Sequence, residues 1–110
     1  MDRNELLAQL RALQIAKVEI NYDGQGDEGY INDIDVHDIN NITLDQKNEP
    51  IKTLVKQLDG FGYDLLEQHH PGWEINEGAF GTITIDVVAG KISSNYNERY
   101  ESSTESNEEW

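Results

Sequence analysis

The chain has 110 residues, room for one domain. Its 36% hydrophobic and 27% charged residues are polar for a globular protein but not polar enough for full disorder. Eight Lys and Arg against 22 Asp and Glu give a formal charge of -14, which argues against gripping nucleic acid by phosphate neutralisation and against a polybasic membrane contact; the absence of cysteine removes disulfides, a thiolate zinc site and a Cys nucleophile.

The first ten residues, MDRNELLAQL, lack the apolar run of a signal peptide or a membrane span, so the expected compartment is the cytoplasm. Leu6, Leu7, Leu10 and Leu13 recur at helical spacing, and Asp2 stands three residues before Glu5 as in a capping box. The period then changes to two. Val18, Ile20 and Tyr22 share one face of a strand, with Lys17, Glu19 and Asn21 on the other. Asp23 to Gly29 holds three glycines and reads as the long tip of a β-hairpin. The return strand runs from about Tyr30 to Val36. Its alternation is imperfect, since Ile31 and Ile34 fall on opposite faces of a regular strand. Ile42 to Leu44 is ambiguous and could add a short strand.

Pro50 suits the first turn of a second helix. From there Ile51, Leu54, Val55, Leu58, Phe61, Leu65 and Leu66 form the longest apolar stripe in the chain, up to about His69. Gly60 and Gly62 interrupt it and suggest a kink or a close backbone approach. His70-Pro71-Gly72 ends the helix. Trp73 and Phe80 are expected to pack under the helix end. Ile83, Ile85 and Val87 alternate on a third strand, and Ile92, Ser94 and Tyr96 continue the alternation after a turn at Val88–Gly90. Residues 98–110 read as a disordered acidic tail. The expected fold is α+β, in the order α-β-β-α-β-β, with both helices on one face of an antiparallel sheet and a single domain over residues 1–97.

The acids are unevenly spread. Residues 18–49 hold nine acids and one base, and Asp23, Asp27, Glu28, Asp33, Asp35 and Asp38 crowd the first hairpin. Such a field attracts basic partners, although acidity also serves solubility alone. The Asp23–Gly29 segment leaves three readings open: a calcium-binding turn through Asp23 and Asp27, a solvated glycine-rich turn, or an acidic finger for a protein partner. The EF-hand pattern fails, because Glu28 falls where glycine is needed and Ile34 where the bidentate glutamate belongs. His69 and His70, adjacent on the helix, point about 100° apart and match no helical metal motif, even with Glu67 and His37 nearby in composition; the plainer role is a helix C-terminal cap. No G-x-S-x-G and no pair of carboxylates with separated roles is present, so a non-enzymatic protein without a cofactor is expected.

Two blocks resemble a known family. Asn21-Tyr22-Asp23-Gly24-Gln25-Gly26-Asp27-Glu28-Gly29-Tyr30-Ile31 resembles a Y-[DS]-G-x-G-D-[ES]-G-x-I signature, and Tyr63 to His70 running into Gly72 to Gly78 resembles its partner block. Ile83 to Asp86 with Asn97-Glu98-Arg99 fits more weakly. The family comprises small acidic bacterial proteins, often on plasmids, prophages and other mobile elements. The resemblance implies mobile-element biology and assigns no catalytic residue. The functional expectation is an acidic binding protein. In its sharper form it is an inhibitor whose Asp23, Asp27, Glu28, Asp33, Asp35 and Asp38, with Glu67 and Glu77 as secondary candidates, occupy a basic groove of a nucleic-acid-binding defence complex in place of phosphates. The alternatives are a calcium module at Asp23 and Asp27, and an accessory protein that binds through its sheet face.

Overall fold

The computed structural model describes residues 3–25, 28–44, 49, 51–70, 78–98 and 104–110. Two helices, α1 (Arg3–Ala12) and α2 (Ile51–His69), and five strands, β1 (Ile15–Gln25), β2 (Glu28–Asp38), β3 (Ala79–Asp86), β4 (Lys91–Glu98) and β5 (Thr104–Glu109), make an α+β fold. The strands form one antiparallel sheet in the order β2-β1-β3-β4-β5. Helix α2 connects edge strand β2 to β3, which lies on the far side of β1. No described helix is long and apolar enough to cross a membrane.

The helices cover one face of the sheet. Leu6, Leu7 and Leu10 from α1 and Leu54, Leu58, Phe61, Leu65 and Leu66 from α2 join Val18, Ile20, Ile34, Val36, Ile83, Ile85 and Ile92 in one buried cluster. In register these strand residues form apolar rows across the sheet: Ile34–Ile20–Ile83, and Val36–Val18–Ile85–Ile92. Period-two patterning on the strands and the leucine and isoleucine stripes on the helices therefore meet on the same layer.

A break in register resolves the irregular pattern of β2. Tyr22 pairs with Ile31 and Asn21 with Asp33, so Asn32 is an extra residue on the β2 side. This bulge brings both Ile31 and Ile34 to the helix-covered face. Burying an isoleucine is worth about 1.5–3 kcal/mol, more than the roughly 1 kcal/mol of one net ladder hydrogen bond, so the bulged register wins. A second bulge at Ala16 does the same for Ile15 and Val18.

Four expectations are corrected. The first hairpin has no long tip: Asp23 pairs with Tyr30, Gly24 with Gly29 and Gln25 with Glu28, which leaves only residues 26 and 27 between the strands. Phe80 does not pack under the helix end. It alternates with Ala79 and Ile83 and shares the open face with Thr82 and Thr84. The acidic tail is not disordered over its whole length, because residues 104–109 form β5 against β4. That strand has no apolar residue of its own. It is held by backbone pairing and by Trp110, whose amide donates to the Ile92 carbonyl at 2.6 Å and whose carbonyl accepts from the Arg3 guanidinium. Ile42 to Leu44 is not a strand but a short segment bridging Thr43 to His37. Asp2, Pro50 and Trp73, with the roles expected of them, lie outside the described residues.

Candidate functional site

Alternation that buries one face of the sheet displays the other. In register, the open face carries the rows Asp33–Asn21–Thr82–Asn95–Asn107, Asp35–Glu19–Thr84–Ser93–Glu109 and His37–Lys17–Asp86–Lys91. Its centre is a polar ladder. The Thr82 hydroxyl donates to Asn21 Oδ1 at 2.7 Å, Asn95 Nδ2 to Asn107 Oδ1 at 2.9 Å, and Asn97 Nδ2 to Asn95 Oδ1 at 2.7 Å. These bonds hold short side chains flat against the strands.

The β1–β2 half is acidic. Glu19 stands directly across from Asp35, a like-charge pair that costs stability. Lys17 Nζ lies 3.3 Å from Glu19 Oε1 and compensates it, and His37 Nε2 stands at the same distance from that oxygen. Among the described residues, neither Asp33 nor Asp35 has a cation within ion-pair distance. Lys56 of α2 lines the same shallow groove as Asp33, Asp35 and Asp59 without closing a pair to them. Asp23 lies further along β1 on this face, opposite Tyr30 and Phe80.

The structure thus sorts the sequence candidates. It brings together Asp23, Asp33 and Asp35 and adds Glu19, which sequence reading had placed on the polar face of β1 without a role. Asp38 does other work: its Oδ1 accepts the amides of Asn40 at 2.8 Å and Ile42 at 3.0 Å, closing the turn after β2. Glu67 is exposed on α2, across the sheet from these acids. Asp27 and Glu77 lie outside the described residues, as does the Glu28 side chain. The proposed calcium turn at Asp23 is extended strand as far as it is described. No group of three or more His, Asp or Glu among the described residues is arranged to hold a metal ion.

The histidine pair is not merely a helix cap. The His70 ring stacks on Tyr96 with centroids 3.6 Å apart, and His69 stacks on Trp110 at 4.7 Å. Glu108 Oε1 lies 2.5 Å from His70 Nε2 and accepts from Trp110 Nε1 at 2.9 Å. Next to this cluster the Tyr22 hydroxyl shares a hydrogen bond of 2.9 Å with Ser94 Oγ. Burial pushes the Tyr22 hydroxyl well above the ordinary tyrosine range, so it stays protonated. Ser94 is 3% exposed, and its hydroxyl is engaged by Tyr22. The cluster joins the C-terminal end of α2 to β4 and β5. Glu108 and Trp110 were invisible as functional anchors in the sequence because they sit in a polar run without periodicity.

The architecture and its charge define a small helix-backed antiparallel sheet with an acidic open face. The chain belongs to a family of unknown function, DUF6878, whose model matches residues 1–56 and 39–110. No curated protein and no solved structure matches the chain.

Proposed function

We propose that this protein is a non-enzymatic acidic binding protein that presents the β1–β2 half of its open sheet face to a basic protein surface. In the sharper form of this reading the surface is the phosphate-binding groove of a nucleic-acid-binding defence complex, the protein is an inhibitor encoded by a mobile element, and both act in the cytoplasm. The observation that carries the reading is the pair Asp33 and Asp35, two residues apart on one strand face, without a cationic partner among the described residues, and with Glu19 opposite Asp35. A fold under selection for stability alone gains from a lysine at either position. Retaining the repulsion makes sense if a partner's cations complete the set, as cations complete a row of phosphates.

The test uses purified protein on a solid support in a bacterial lysate. Capture of nucleic-acid-binding proteins that duplex DNA displaces, that weakens from about 50 to about 500 mM salt, and that Asp33→Asn with Asp35→Asn reduces, is the expected result. Capture indifferent to salt, to DNA and to the double variant overturns the reading.

A further inference from the structure

Acids steer a partner, but interface energy concentrates in a few apolar anchors. The turn after β2 displays two isoleucines three residues apart, Ile39 at 79% and Ile42 at 58% exposure. A single exposed isoleucine is ordinary, but two on one closed turn make a patch. The turn is rigid. Besides the two amides held by the Asp38 carboxylate, the Asn41 amide donates to the Asp38 carbonyl at 3.0 Å, and the Asp38 amide donates to the Ile42 carbonyl at 3.0 Å. Asn41 takes the left-handed conformation, φ 63°, that asparagine tolerates. Its foot is tied to β2 by the Leu44 amide on the Val36 carbonyl at 2.8 Å and by Thr43 Oγ1 at 3.3 Å from His37 Nδ1. The core gains nothing from either isoleucine, and polar turn residues would satisfy the same backbone.

We propose that the Ile39–Ile42 turn is the apolar anchor of the acidic interface, inserted into a cationic, amphipathic segment of the partner protein in which Lys or Arg alternates with large apolar residues. This rests on the acidic-face reading. Charge complementarity selects the occupant: Asp35 lies three residues before the end of β2, about 10 Å along the strand from the turn that carries Ile39, so a segment that seats the isoleucines places its cations at Asp35 and Asp33. Preformed loop geometry removes the ordering cost on this side of the interface. Asp38 is a positioning residue here, since its carboxylate is used within the turn.

Two synthetic peptides of equal length and charge serve as probes, one of Lys and Leu in amphipathic order and one of Lys and Gln. Each is titrated into the isotope-labelled protein and followed by amide chemical shifts. The Lys/Leu peptide is expected to move the amides of 39–42 together with those of 33 and 35. Ile39→Ser with Ile42→Ser should weaken that peptide about tenfold and the Lys/Gln peptide less than about twofold. Asp38→Asn keeps the accepting oxygen and should bind the Lys/Leu peptide as the parent does, whereas Asp38→Ala should weaken it. The anchor is overturned if both peptides move 33 and 35 while 39–42 stay silent, or if the double isoleucine variant binds the Lys/Leu peptide undiminished. If neither peptide moves 33 and 35, the acidic-face reading itself falls.

Discussion

The Nε2 of His70 lies 2.5 Å from Oε1 of Glu108, and this contact fastens the end of α2 to the outermost strand of the sheet. With the ring flat on Tyr96, one side chain bridges α2, β4 and β5. A strand as polar as Thr-Glu-Ser-Asn-Glu-Glu contributes little burial, so its place in the sheet depends on such anchors. His70→Ala is expected to lower stability by about 1–3 kcal/mol and to speed amide exchange across Thr104–Glu109 before the rest of the sheet. His70→Phe keeps the stacking and should cost less. Unchanged exchange in β5 for the alanine variant would show that the strand holds without this clasp.

Glycines that look alike in sequence should respond in opposite directions. A Cβ on Gly60 meets nothing within 4 Å, so Gly60→Ala is expected to stabilise α2 by about 0.5–1 kcal/mol. A Cβ on Gly62 falls 2.7 Å from Ile31 Cδ1 and 3.3 Å from Ile20 Cγ2, where α2 crosses the sheet. Overpacking of about 1–3 kcal/mol there outweighs the helical gain, and Gly62→Ala should lose stability. Gly81→Ala is the severest, because its Cβ falls 1.8 Å from the backbone oxygen of Asn95 and 2.7 Å from the Tyr22 hydroxyl, neither of which moves freely. A loss of about 3 kcal/mol or more is expected. Chemical denaturation of the three variants side by side checks the order.

Tyr22 makes stability fall in alkali. Its hydroxyl is held protonated in the folded protein well above the ordinary tyrosine range, mainly by burial. The unfolded chain releases that proton in the ordinary range, so above it the unfolded state binds fewer protons and gains population. The stabilisation is whole below pH 10 and is lost progressively above it. Denaturation midpoints should drop more steeply between about pH 9 and about pH 11 for the parent than for Tyr22→Phe. Near neutrality the phenylalanine variant leaves the Ser94 hydroxyl without its partner and should cost about 1–2 kcal/mol. Parallel pH profiles for the two proteins would rule out this linkage.

Much of the fold was legible in the sequence because local patterning and burial agree. The leucines of α1, the stripe of α2, and the alternation of β1, β3 and β4 each name a buried face, and burial of those faces is what the sheet and helices accomplish together. The irregularity of Ile31 and Ile34 was visible too, but not its cause, since a bulge is defined by the partner strand. The candidate site was legible only as composition. A count of acids places Asp33, Asp35, Asp38 and Glu67 on equal terms. Pairing separates them: Asp33 and Asp35 share an open face with Glu19, Asp38 closes a turn, and Glu67 stands on the helix side.

The sequence by itself determined the class of fold, the apolar stripes of the two helices and the negative sign of the surface, because these follow from periodicity and charge summed along the chain. Only the tertiary structure decided that the last strand exists, which carboxylates stand together, and that two isoleucines are held out on a closed turn. The turn rests on the bonds that Asp38 makes within it, and the other two depend on which strand lies beside which, because cross-strand neighbours are set by register between separate segments of the chain.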